Sequence, residues 1–226
     1  MKVLDSFEVG WQYAKKHGWL LTLVMFIMSI VIFYLTMACY PDGFVEEYMK
    51  VVKSGNIAMV QKLVPYIEAA TSKLWVVNIL QFMMFAGVIN VALAKYEGLT
   101  EKVDLRYLSL PFMTYVKLVG LFCMYMVLLM LSTPTFGISL FYFGTRLLFV
   151  LPVLLDDPNV TFYEAMTRSW KITRGNFWKT FGFLMLCLLL IFIGFCFLLL
   201  GTFFASVICI YALCNLYKAE LSKGES

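Results

Sequence analysis

Long apolar runs alternate with short polar stretches along this chain. A transmembrane helix needs about 20 mostly apolar residues, and the apolar block from Phe177 to Tyr217, with only Lys179 as a charge, is long enough for two such helices that fold back near Gly201. The predicted spans are residues 19–39, 74–94, 115–131, 136–155, 177–199 and 202–217. The pattern predicts an all-α integral membrane protein with six transmembrane helices in a single membrane domain, residues 1–226.

The first span is predicted to be a true membrane helix and not a signal peptide. Its apolar stretch covers residues 19–38, whereas the core of a signal peptide has about 7–15 residues. Thr36, not leucine, stands three positions before Cys39, which argues against a lipoprotein signal.

Residues 40–73 form the one sizeable polar segment on the other side of the membrane from the termini. Apolar residues recur there at mostly helical spacings, with a break at Ser54-Gly55-Asn56. Two short amphipathic helices, lying on the membrane or capping the bundle, fit this pattern best, and a ligand-binding loop is the alternative.

Two other stretches predict interfacial helices that precede a span. Asp5 with Glu8, and Thr161 with Glu164, have the spacing of a capping box. Each pair is followed by two tryptophans that bracket basic residues and are predicted to anchor the helix at the headgroups. These anchors are Trp11, Trp19, Trp170 and Trp178. A weaker third copy at residues 103–114 raises the hypothesis of a threefold repeat of interfacial helix plus hairpin.

Composition and charge set the class and the orientation. Apolar residues make up 62% of the chain and charged residues 14%, against about 45–50% and 25% in soluble domains. Only Lys50, Lys53, Lys62 and Lys73 of the 18 basic residues lie beyond the membrane from the termini. The positive-inside rule therefore predicts cytoplasmic termini. A net charge of +4 without a clustered basic face argues against nucleic acid as a partner.

The sequence contains few residues that indicate a metal site or redox chemistry. No cysteine pair has CxxC spacing, and His17 is the only histidine, so neither a metal site nor a histidine-based triad is predicted. The chain contains no GxSxG, Walker A, GxGxxG or HExxH motif. We therefore predict no cofactor, no bound metal and no enzymatic activity.

The stretch from Phe141 to Phe183 carries a family resemblance. It contains an Arg and a Pro in a span, then acids, then Glu-Ala-x-x-x-Ser-x-x-x-x-x-Gly-Asn. The residues at these positions are Arg146, Pro152, Asp156, Asp157, Glu164, Ala165, Ser169, Gly175 and Asn176. This signature resembles that of bacterial membrane proteins related to the membrane domain of glycerophosphoryl diester phosphodiesterases. The resemblance implies a polytopic bacterial inner-membrane protein of largely unknown activity. Because the catalytic barrel is absent here, the phosphodiesterase activity cannot be transferred to this chain.

Arg146 is the strongest candidate for a functional residue. It is predicted to lie near the middle of the fourth span, where an unpaired charge is costly. Arginine binds phosphate with two parallel hydrogen bonds, which favours a lipid- or anion-binding site. The alternative is a structural arginine that pairs with Asp156 or Asp157, or that extends to the headgroups.

Other polar groups complete the candidate site. Asp156 and Asp157 could bind a divalent ion or relay a proton, or they could form a turn with Pro158 and Asn159. A basic cluster next to them is predicted to contact anionic lipid. The lipid- or anion-binding candidates are Arg146, Asp156, Asp157, Arg168, Lys171, Arg174 and Asn176.

Three functions remain open at this point. The first is a non-enzymatic inner-membrane protein that binds or handles lipids or organises the envelope. The second is a small transporter or oligomeric channel, and the third is a membrane-embedded lipid enzyme that uses Asp156 and Asp157. Membrane phospholipids are the expected partners, together with either a second copy of the chain or another membrane protein.

Overall fold

The computed structural model describes residues 3–55, 57–98, 103–132, 138–196 and 199–224. All regular elements in these ranges are helices. The α-helices are α1 (Val3–Cys39), α2 (Phe44–Ser54), α3 (Val64–Tyr96), α4 (Phe112–Ser132), α5 (Ile138–Arg146), α6 (Val150–Asp156), α7 (Phe162–Arg174), α8 (Phe177–Cys196) and α9 (Leu199–Gly224). Two 3-10 helices cover Ile57–Leu63 and Leu105–Leu108. The predicted all-α fold is confirmed.

Five of the described helices, α1, α3, α4, α8 and α9, are long and apolar enough to cross a membrane. The prediction of a multi-span membrane protein is therefore confirmed. The segment 136–155, predicted as a single span, differs, because its described part consists of α5 and α6 with a break at residues 147–149. Six uninterrupted spans are not confirmed.

Pro152 gives the physical reason for this break. It lies in the first turn of α6, where proline is tolerated because the N–H groups there have no partner within the helix. In a continuous helix its ring would clash with the carbonyl of Leu148. The backbone at the break keeps its hydrogen bonds, since the Leu147 N–H donates to the Phe143 carbonyl at 2.9 Å.

Residues 27–82 form one of two compact units. Within it, Tyr40 and Phe44 stack with ring centroids 4.0 Å apart, and Gly55 adopts a φ of 60° at the end of α2. The structure thus has helix α2 at the first predicted amphipathic stretch and ends it at Gly55, while Asn56 of the predicted break lies outside the described residues. The second is not separate, because the 3-10 helix Ile57–Leu63 leads directly into α3.

Residues 1–26 and 83–226 form the other unit, which we call the large unit. Its helices pack closely through small residues. A Cβ atom at Gly10 would lie 2.7 Å from the Ile208 carbonyl oxygen, and one at Gly201 would lie 2.5 Å from the Gly194 carbonyl oxygen. Only glycine allows the backbones of α1 and α9, and of α8 and α9, to approach this closely.

The start of α1 differs from the predicted interfacial helix. α1 begins by Val3 and continues without interruption to Cys39, so Asp5 lies inside the helix and does not cap it. Ala14 is buried, and Gly18 packs against Val207 of α9. This face is therefore held by α9, which explains why the helix does not separate from the span.

Several helix ends of the large unit lie close together. The Lys117 ammonium, near the start of α4, donates to the Val160 carbonyl at 2.8 Å. The Asn215 amide in α9 donates to the Tyr96 hydroxyl at the end of α3, at 2.7 Å. The chain therefore returns, after α4, α5 and α6, to the end of the bundle where α4 began.

Candidate functional site

Three aromatic rings surround the Arg146 guanidinium at the end of α5. Its central carbon lies 5.1 Å from the Trp170 ring of α7, 5.1 Å from the Phe177 ring of α8 and 5.5 Å from the Tyr142 ring of α5. The Ser169 hydroxyl donates to the Arg146 carbonyl at 2.7 Å. We call this arrangement the Arg146 cage, and it joins three helices around one charge.

The cage stabilises Arg146 without an acidic partner. Its Nε and Nη1 atoms are buried and have no hydrogen-bond partner among the described residues. The faces of aromatic rings carry partial negative charge and attract a guanidinium, most strongly where water is excluded. This geometry differs from the predicted alternative in which an aspartate pairs with Arg146, because Asp156 and Asp157 contact Lys218 and Arg168 instead.

Arg146 lies where α7 and α8 adjoin the end of α5. Phe177, which it contacts, is the first residue of α8, and Trp170 belongs to the amphipathic helix α7. Arg146 therefore lies beside the start of α8 and beside α7. The break after Arg146 is the reason, since it ends α5 beside α7.

Asp156 belongs to a separate group of charges at the end of α6. Its carboxylate accepts hydrogen bonds from the Lys218 ammonium at 2.7 Å and from the Tyr217 hydroxyl at 2.9 Å. Lys218 also forms an ion pair with Glu97, which follows α3, and each of the two carboxyl groups affects the pKa of the other. We call Glu97, Asp156 and Lys218 the charge triad.

The two carboxyl groups of the charge triad differ in acidity. Burial raises the pKa of Glu97, and the adjacent Asp156 adds to this effect, outweighing the hydrogen bond from Lys218. Burial also acts to raise the pKa of Asp156, but hydrogen bonds from Lys218, Glu97 and Tyr217 lower it overall. Glu97 is therefore the weaker acid of the two.

A cavity of about 230 Å³ borders the charge triad. Glu97 and Asp156 both face it, as do the polar residues Asn90, Tyr107 and Thr114. The Asn90 amide donates to the Tyr107 carbonyl at 2.8 Å, which fixes the 3-10 helix Leu105–Leu108 against α3. Its remaining lining is apolar, from Leu93, Ala94, Leu110, Pro111, Leu155 and Pro158.

Asp157 lies in the turn between α6 and α7. One of its oxygens accepts from the Asn159 N–H at 3.1 Å, and its other oxygen lies 3.7 Å from the Arg168 guanidinium. This agrees with the turn hypothesis for the adjacent acids. Within the described residues, no group of three or more His, Cys, Asp or Glu side chains could hold a metal ion.

Helix α7 carries most of the predicted basic candidates. The capping box of Thr161 and Glu164 is confirmed at its start. Arg168, Lys171 and Arg174 are exposed, whereas Ala165, Ser169 and Thr173 are buried against the protein. The buried stripe of small residues, spaced four apart, lets α7 lie close to its neighbours and directs its bases outwards.

The remaining candidates lie around the start of α8. The Asn176 amide donates to Glu220 at 3.2 Å and its oxygen accepts from Lys179 at 3.0 Å. The four predicted tryptophan anchors are all exposed: Trp11, Trp19, Trp170 and Trp178. Trp170 is the least exposed of them, at 38%, because one face of it contacts Arg146.

Sequence reasoning missed Glu97, Tyr217 and Lys218. Glu97 immediately follows a span, and Lys218 lies in the last charged turns of the final helix. In a sequence, charges at span ends indicate only orientation. Their pairing cannot be read from it, because it depends on contacts between residues more than 60 positions apart. Among the seven predicted candidates, Arg146 lies close to α7 in the structure. The side chains that contact Arg146 are not the ones that contact Asp156.

Most of the part of the chain that contains this geometry matches a known protein family. Residues 118–218 match the model of the membrane domain of glycerophosphoryl diester phosphodiesterase. This range extends from α4 into α9 and includes the Arg146 cage, Asp156 and Lys218, whereas Glu97 lies outside it. The predicted resemblance over residues 141–183 is therefore confirmed and extended. No curated protein and no solved structure matches the chain.

Proposed function

We propose that this chain is a non-enzymatic membrane protein that binds the phosphate groups of anionic lipids at the Arg146 cage. The single observation that carries the proposal is a guanidinium held by three aromatic rings with no acidic partner among the described residues. Paired arginines are neutralised by their own protein. Arg146 retains its positive charge for an external anion.

The surroundings of the cage support a lipid as the source of that anion. α7 presents Arg168, Lys171 and Arg174 on its exposed side, next to the exposed tryptophans at residues 170 and 178. Basic residues near anionic headgroups contribute about 1 kcal/mol each, and tryptophan favours the membrane interface. A headgroup phosphate at this level would lie within reach of both the cage and the basic face.

The proposal includes six crossings of a bacterial inner membrane, with both termini on the cytoplasmic side. α5 and α6 together form the crossing that is broken at residues 147–149. This crossing is supported by the contact between Lys117 and Val160, which joins the start of α4 to the loop after α6. The charge distribution along the chain supports the orientation, and a threefold repeat remains part of this proposal.

Native mass spectrometry in nanodiscs tests the lipid proposal. The full chain is placed in nanodiscs of phosphatidylglycerol and phosphatidylcholine, and the number of retained lipids of each kind is counted together with the number of protein copies. We expect wild type to retain phosphatidylglycerol preferentially. Arg146→Leu should lower that retention about tenfold, because a hydrogen bond to a charged group contributes about 1.5–3 kcal/mol.

Arg106→Leu is the matched control, since Arg106 is an exposed arginine paired with Asp104. It should leave phosphatidylglycerol retention unchanged. Equal retention by wild type and Arg146→Leu, with both variants folded, would refute the anion site. Lipid hydrolysis by the purified chain that is lost in Asp156→Asn would instead favour the enzyme hypothesis.

A further inference from the structure

The charge triad carries more negative than positive charge. Two carboxyl groups, Glu97 and Asp156, share the single ammonium of Lys218. When both carboxyl groups are ionised, one negative charge is left without a partner among the described residues, beside a largely apolar cavity. Such a charge is costly, so the site favours either a proton or an external cation.

We infer that the cavity beside Glu97 and Asp156 binds a primary ammonium group, with Glu97 as its main anionic contact. This inference is independent of the proposed lipid phosphate site, since it concerns different residues and a ligand of opposite charge. The ammonium would come from a lipid headgroup or from a free amine. Both sources share the chemistry of a cation that donates hydrogen bonds.

The lining of the cavity selects an organic amine over a metal ion. Mg²⁺ and Ca²⁺ take about six or more oxygen ligands in a compact shell, and the described residues contain no cluster of three candidate metal-binding side chains. Leu93, Leu110 and Leu155 line the cavity alongside the carboxylates. A charged end with a short hydrocarbon part matches this combination, and a volume of about 230 Å³ restricts the ligand to a small group.

The site is accessible to such a ligand. The Glu97 and Asp156 side chains keep 25% and 19% of their surface exposed, although both are tied to Lys218. Carboxylate oxygens can accept several hydrogen bonds each, so the bonds to Lys218 leave acceptor positions open. Glu97 follows α3 and Asp156 is the last residue of α6, at the end of the bundle where both contact Lys218 of α9.

A proton and the ammonium compete for Glu97. Protonated Glu97 neutralises the excess charge, and an arriving ammonium replaces that proton, which leaves to solvent. The charged and titratable groups around Glu97 come from its own segment, α6, α9 and the 3-10 helix. They are Lys95, Tyr96, Tyr107, Asp156, Cys214, Tyr217 and Lys218. Only Lys95 and Lys218 among these carry positive charge at neutral pH, and Lys218 is already shared.

Calorimetric titration of the full chain in detergent with ethylammonium chloride tests the inference, at constant ionic strength. Binding should be saturable, and Glu97→Gln should weaken it at least tenfold. Below the pKa of Glu97, wild-type affinity should fall about tenfold for each unit of pH, because one proton must be displaced. Glu97→Gln mimics the protonated side chain and is expected to fold, and the exposed Glu8→Gln serves as the control.

Nanodiscs distinguish the two sources of the amine. Preferential retention of phosphatidylethanolamine over phosphatidylcholine, lost in Glu97→Gln, identifies a lipid headgroup. Ethylammonium binding with no such preference identifies a free amine, and either result supports the site. Equal ethylammonium binding by wild type and Glu97→Gln overturns the inference, and so does binding of Mg²⁺ in place of ethylammonium. Loss of phosphatidylglycerol retention in Arg146→Leu bears only on the phosphate site.

Discussion

The Arg146 cage and the charge triad keep charged groups inside the same bundle by different physical means. In the cage, one cation is surrounded by Tyr142, Trp170 and Phe177 and has no acidic partner among the described residues. In the charge triad, Lys218 is bound by two carboxyl groups. Aromatic rings stabilise a cation without neutralising it, whereas carboxylates neutralise it. The cage therefore keeps a net positive charge, whereas the triad has one more carboxyl group than ammonium groups.

Because of this difference, substitutions in the two regions should change stability in different ways. Ion pairs respond strongly to loss of one partner, because the other charge is left unsatisfied. Cation–π contacts respond moderately to loss of one ring, since the others remain. Only the triad contains carboxyl groups whose protonation changes in an accessible range of pH. The following experiments use these differences.

Lys218→Met should have the largest effect. It leaves Glu97 and Asp156 adjacent and unpaired, and we expect the free energy of unfolding at pH 7.5 to fall by about 2 kcal/mol, between the effects for exposed and fully buried pairs. Unfolding in mixed detergent micelles measures it. Lys50→Met, at the exposed pair with Glu47, should leave stability nearly unchanged, because exposed ion pairs contribute little. Equal effects of the two substitutions would contradict the role of the triad.

Trp170→Leu should destabilise the cage by about 1–2 kcal/mol, because a desolvated cation–π contact is worth about that much. The same substitution in an Arg146→Leu background should cost less, since no cation remains. A double-mutant cycle measured by unfolding gives the coupling, which we expect to be about 1 kcal/mol. Additive effects would show that Trp170 contributes packing alone.

The dependence of stability on pH separates the two regions. The folded-state pKa of Glu97 lies above the usual value for a glutamate, so its contribution is fully present below the unfolded pKa and is lost as pH rises through the folded pKa. At most one proton is involved, which gives a slope of about 1.4 kcal/mol for each unit of pH. Unfolding of wild type, Glu97→Gln and Arg146→Leu between pH 4 and pH 8 tests it. Only Glu97→Gln should remove this slope.

Ser169→Ala should give the smallest effect. It removes the hydrogen bond from the Ser169 hydroxyl to the Arg146 carbonyl, and a neutral hydrogen bond contributes about 0.5–1.5 kcal/mol. Ser222→Ala, at an exposed position near the end of α9, serves as the comparison. If Ser169→Ala matched Ser222→Ala in unfolding, the link between α7 and α5 would add nothing to the cage.

The sequence predicts the helices well where a single physical rule controls them. Long apolar runs identify α1, α3, α4, α8 and α9, and the spacing of Thr161 and Glu164 identifies the start of α7. The break at residues 147–149 could also have been found, because Pro152 cannot continue a helix through Leu148. Apolarity alone concealed it, since Leu147, Leu148 and Phe149 of the break are hydrophobic, as are the residues that begin α6.

The candidate site was predictable only in part. A lone arginine in an apolar stretch is conspicuous, so Arg146 was identified. Its partners Tyr142, Trp170 and Phe177 come from three helices, and aromatic residues are too frequent in this chain to single them out. The charge triad depends on contacts between Glu97, Asp156 and Lys218, which hydropathy does not encode.

The interruption between α5 and α6 has a consequence for biogenesis. Exposed backbone polar groups are unfavourable in hydrocarbon, and here the Leu147 carbonyl accepts a hydrogen bond from the Tyr125 hydroxyl of α4 at 3.3 Å. Leu147 and Phe149 are also covered by protein. A segment with this requirement is poorly suited to enter the bilayer alone. We expect this segment to leave the insertion machinery together with α4, because the Tyr125 hydroxyl of α4 supplies the hydrogen bond to its backbone.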